Sequence, residues 1–145
     1  MRRATRRWLR AIGLAAITGS RTSLGPALVF GRRSRRARDG MRALAAMELL
    51  GDKHPGAPNR TAPLGLGFRI ASAAAVVRAV MKRRGRGPGP LALGAAVAVA
   101  GAFVGLKLRR ALTRRLGGGP LSNALAGALE DVALIAVGRR LAATL

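Results

Sequence analysis

Five carboxylates occur among 145 residues, and four of them sit inside apolar, helix-patterned stretches. Glu48 and Asp52 lie in RALAAMELLGDK, and Glu130 and Asp131 lie in PLSNALAGALEDVALIAVGRR. The fifth, Asp39, lies among arginines and reads as solvated. A carboxylate in apolar surroundings is costly unless it is paired, hydrogen-bonded or protonated. Such groups therefore point either to helix locks or to an internal site for a proton, ion or polar solute. Glu48 and Asp52 are four residues apart and share a helix face, so their mutual repulsion calls for a nearby base. Lys53 and Arg42 are local candidates and Arg21 is a distant one. On the last apolar stretch Asn123, Gly127 and Asp131 recur at spacing four, with Glu130 seven from Asn123, giving a polar stripe on a greasy helix. Asn123 is suited to a hydrogen bond across a helix interface and Gly127 to close approach. The candidate intramembrane centre is therefore Arg21, Glu48, Asp52, Lys53, Asn123, Glu130 and Asp131. As locks, the acids would pair with Arg21, Lys107 or Arg109.

Other chemistry is thin. The chain has no cysteine and a single histidine, His54, beside Pro55 in a loop, so no zinc-type ligand cluster is expected. No nucleophile–base spacing recommends an enzyme, and no cofactor is implied. The glycine-rich GRGPGP and GGGP segments lack the lysine and hydroxyl of a phosphate-binding loop and read as chain breakers.

The elements that must hold these groups are helices. Half of the chain is hydrophobic, yet the net charge is +22 and aromatics make up 3%. A water-soluble core would draw on larger side chains, whereas Ala and Gly let helices approach closely in lipid. Nucleic-acid binding would use the bases on phosphates, but stacking aromatics and a reading module are not visible, so no nucleic-acid partner is expected. Much of the arginine excess, 24 against 3 lysines, fits biased genomic composition.

Residues 87–106 contain no charge and are long enough to cross ~30 Å of hydrocarbon. Gly101 and Gly105 form a GxxxG pair there, and Gly94, Ala98 and Ala102 form a second small-residue ridge; with Gly127 they are the expected packing face. A last helix is expected from about 121 toward 143, after the break at 117–119, and a further span from about 61, interrupted by Arg69 and Arg78. Residues 8–31 form two short apolar pieces around Thr18-Gly-Ser-Arg21 with bases on both sides. That pattern fits a re-entrant hairpin, or else one kinked crossing. The basic segment at 1–10 followed by an apolar run also resembles a leader, but Arg21 interrupts the run and a retained helix is expected. A short helix is expected over 41–52, then a Pro- and Gly-rich connection.

Sustained period-two alternation is absent. The expectation is one all-α domain over 1–145, a polytopic transmembrane helical bundle with a short or re-entrant N-terminal helix pair. Its arginine clusters would meet anionic headgroups of a lipid bilayer, and its small-residue faces suit a homo-oligomer. Basic loops at 1–10, 31–38 and 82–86 share one side. Residues 107–117 then fall on the other, against the positive-inside pattern.

AMELLGDKHPG at 46–56, with NRTAP at 59–63, resembles a bacterial membrane-protein family known as domain of unknown function 4126. Thr18-Gly-Ser-Arg21 looks like that family's opening and PLSNALAGALEDV at 120–132 like its closing segment, so nearly the whole chain is covered. His54 stands where the family has an apolar residue, and the arginines at 32–38 and 114–115 are heavier than its usual pattern. The resemblance implies an integral protein of the bacterial cytoplasmic membrane and lends no activity. Two halves, each a helix, a basic break and an acid-bearing helix, suggest an internal repeat of the kind that meets at a central polar site in transporters.

Overall fold

The computed structural model describes residues 3–32, 34–51, 62–82, 87–143 and 145. They form six helices: α1 (Arg3–Ser20), α2 (Leu24–Phe30), α3 (Arg35–Gly51), α4 (Pro63–Met81), α5 (Pro88–Arg115) and α6 (Pro120–Ala142). No strand occurs among the described residues. Each of α4, α5 and α6 starts with proline at its first position, where the missing N–H costs no helical hydrogen bond. These three helices are long and apolar enough to cross a membrane.

The outer surfaces of these spans expose Leu64, Phe68, Phe103, Leu125, Leu129 and Val132. In water that surface would cost free energy; against lipid tails it costs none. Burial inside the bundle goes instead to small residues. Gly94, Ala98, Ala102 and Gly105 form a buried line on α5. Gly94 faces Val77 of α4, and a Cβ at Gly101 would stand 2.6 Å from the Ala16 carbonyl oxygen of α1. The GxxxG pair and the ridge of spacing four are thus two parts of one contact surface for α1 and α4.

Helix α1 is the centre of the bundle and packs on α4, α5, α6 and α2. Its first turns are arginine-rich and exposed, while Ala11, Leu14, Ala15, Ile17 and Thr18 are buried. The chain then breaks over residues 21–23 and returns as α2. Gly25 of α2 lies against the Thr18 side chain and the Leu14 carbonyl of α1, and Leu28 lies near Ile17 through their shared neighbour Gly138. Helix α2 thus packs back on α1, and the pair is a hairpin with its apex at 20–23. Gly13 of α1 lies against Leu141, and Arg32, just past α2, reaches the Ala142 carbonyl, so both arms of the hairpin meet the C-terminal end of α6.

Two helices exceed their expected lengths. Helix α3 begins at Arg35 rather than near 41, because Ser34 Oγ accepts the Ala37 N–H at 3.1 Å and Arg and Ala are strong helix formers. Helix α5 runs through Lys107–Arg110 to Arg115, 28 residues and about 42 Å, since no residue in KLRRALTRR breaks a helix. It ends at Leu116 with the Gly117 and Gly118 N–H groups bonded to the Arg114 and Thr113 carbonyls. Gly117, Gly118 and Gly119 all have positive φ, which only glycine adopts without strain.

Candidate functional site

The apex of the α1–α2 hairpin sits among four other helices, α3, α4, α5 and α6, and meets a polar group from each. Arg21 is 1% exposed and Asp131 of α6 is 7% exposed. Arg21 Nε donates to Asp131 Oδ1 at 2.8 Å, and Arg21 Nη2 lies 2.5 Å from the same oxygen. Two residues 110 apart in sequence thereby join the hairpin apex to the middle of α6. The attraction is strong in a dry setting but must first offset desolvation of both ions, so the pair is held by geometry as much as by charge.

Glu48 reaches the other side of the apex from near the end of α3. Its Oε1 accepts the Thr22 N–H at 2.6 Å, and its Oε2 accepts the Ser23 N–H at 2.7 Å and the Ser23 hydroxyl at 2.5 Å. These are N–H groups that the break between α1 and α2 leaves outside any helix ladder. Burial pushes the Glu48 pKa up, but the Ser23 hydroxyl, the two backbone N–H groups and the Arg69 charge outweigh it, so the carboxyl titrates below its usual range.

Arg69, buried in α4, donates from Nη1 to the Gly19 carbonyl at 2.5 Å and so serves the end of α1. Ser20 Oγ donates to the Gly101 carbonyl of α5 at 3.2 Å. The apex therefore gathers Arg21, Arg69, Glu48 and Asp131, two cations and two anions. Sequence reasoning treated Arg69 only as an interruption of a span. A charge in the middle of an apolar helix was itself the signal that it had a polar partner.

A second polar locus lies farther along α5 and α6. Arg109, buried, donates from Nε to Asn123 Oδ1 at 3.0 Å. Its guanidinium lies over Gly127, where a Cβ would stand 2.9 Å from Nη2. Glu130 faces Gly105, with Oε1 3.3 Å from the position of a Cβ there, and shares with Arg109 a groove of ≈ 560 Å³ between the two helices. The expected stripe on α6 thus divides. Asp131 turns to the hairpin apex, while Asn123, Gly127 and Glu130 face α5. Lys107 is exposed.

Asp52, Lys53 and His54 lie outside the described residues. Among the described residues no group of three His, Cys, Asp or Glu side chains is placed to hold a metal ion. Comparison with protein-family models, with characterised proteins and with solved structures gave no match.

Proposed function

We propose that the chain is a multi-pass protein of the bacterial cytoplasmic membrane, transporter- or channel-like, whose re-entrant hairpin closes a polar path at its apex. The carrying observation is that α1 and α2 turn back inside the bundle and present Arg21 to Asp131. Non-helical backbone at membrane depth is tolerated only where protein or a polar cavity satisfies it, and broken helices meeting charged groups are how many transporters build their sites. The three apolar spans and the outward leucines support the membrane part of the reading.

A second reading is favoured by the depth of the pair. Arg21 and Asp131 are almost wholly enclosed, which suits a scaffold whose ion pair is a helix lock. Reconstitution in vesicles separates the two. As a gate, the wild-type protein conducts protons or small ions, and Asp131→Asn changes that flux while the protein still folds. As a lock, the wild type shows no flux above empty vesicles, and Asp131→Asn lowers only the melting temperature. An alkaline carbonate wash that releases the protein from cell membranes would overturn both and favour a basic nucleic-acid-associated protein instead.

A further inference from the structure

A cleft of ≈ 380 Å³ opens between α2, α3 and α6. Its floor is apolar, formed by Leu24, Ala27 and Leu28 of α2 and Ile135 of α6. Its rim carries four exposed arginines from separate segments: Arg32 after α2, Arg38 and Arg42 on α3, and Arg139 on α6. Among the described residues no carboxylate lines it. Arg32 is held in place by donating from Nη1 to the Ala142 carbonyl at 2.6 Å. The cleft sits toward the arginine-rich end of the hairpin, where the α2 C-terminus and the last turns of α6 meet.

We infer that this cleft binds the headgroup of an anionic glycerophospholipid, with the phosphate among the arginines and the upper acyl chain along the Leu28–Ile135 floor. Four exposed guanidiniums around one cleft attract anionic charge, and guanidinium forks match phosphate oxygens. An apolar floor directly beneath the charges matches an amphiphile and offers nothing to a free ion. Basic pockets between helices at one membrane face are a recurrent means of holding acidic lipids. The inference rests on the membrane reading above.

The test uses the full chain purified in detergent and stripped of lipid, with thermal unfolding followed as lipid is added. Phosphatidylglycerol is expected to raise the melting temperature, and phosphatidylcholine and inorganic phosphate are not. Each arginine removed should weaken the phosphatidylglycerol response about fivefold, so the variant R38Q/R42Q/R139Q should lose about a hundredfold. The variant R110Q/R114Q/R115Q, at the far end of α5, should respond like wild type. If both triple variants lose the response equally, or if inorganic phosphate works as well as the lipid, the site is overturned. Arg42→Gln alone serves should the triple variant not fold: about a fivefold loss supports the cleft, and an unchanged response sinks it. A protein that stays in membranes after carbonate but ignores lipid charge removes this inference only. One that is folded and soluble without detergent removes the membrane reading too.

Discussion

The α1–α2 hairpin and the α5–α6 hairpin each bring an arginine against α6, and they treat it differently. Arg21, at the apex of the short hairpin, meets a carboxylate, Asp131, and is sealed from solvent. Arg109, on the long hairpin, meets a neutral amide oxygen from Asn123 and lies over Gly127. The short hairpin also breaks its backbone inside the bundle and needs Glu48 for the freed N–H groups. The long one keeps α5 unbroken for 28 residues and turns only at the three glycines. The contrast teaches that irregular backbone and full charge go together here. Where the ladder is broken, ionised groups from α3, α4 and α6 gather at the apex; where it is intact, α5 carries Arg109 to α6 on a continuous helix.

Breaking the ion pair should have the largest effect. Arg21→Gln leaves Asp131 buried and uncompensated and should cost about 3–5 kcal/mol, read as a large drop in melting temperature in detergent. Arg109→Gln should cost clearly less. Equal losses would erase the distinction between the hairpins. Packing comes next. A Cβ on Gly19 would run into the Ala98 carbonyl of α5, so Gly19→Ala should cost about 1–3 kcal/mol, whereas Gly67→Ala, with open space around it, should be neutral.

Glu48→Gln should cost about 1–3 kcal/mol by weakening three charge-assisted hydrogen bonds at the apex. It also carries a pH signature. The folded pKa of Glu48 lies below its ordinary 4.5, so its contribution is fully present above that value and is lost as pH falls through the folded pKa. Melting profiles of wild type and Glu48→Gln should therefore converge as acid is added below about pH 4.5; parallel profiles would show that Glu48 does not stabilise the apex as a carboxylate. Smallest, Asn123→Ala should cost about 1 kcal/mol, and a loss as large as that of Arg21→Gln would mean the two loci are equivalent.

Much of the architecture could be read from residues. Gly87-Pro88 and Gly119-Pro120 mark where α5 and α6 start, and Thr18-Gly-Ser-Arg21 marks the break between α1 and α2. The length of α5 was harder to see, because Lys107 to Arg110 end a hydrophobic run without ending a helix. Arg21, Glu48 and Asp131 each stood out as ionisable groups in greasy surroundings. Their partners did not. Local spacing offered Lys53 or Arg42 to Glu48, but the backbone N–H groups of Thr22 and Ser23 receive it, and no residue pattern signals a donor that every residue carries.

By itself, then, the order of residues determined the helices, their breaks and the identity of the costly charges, since propensity, proline and glycine geometry and burial cost act locally or through composition. Which cation meets which anion was decided only by the tertiary structure. Arg21 reaches Asp131 because α6 passes the hairpin apex, and Arg69 serves Gly19 because α4 runs beside α1. Such pairings depend on how helices are placed in space, and separation along the chain carries no information about that.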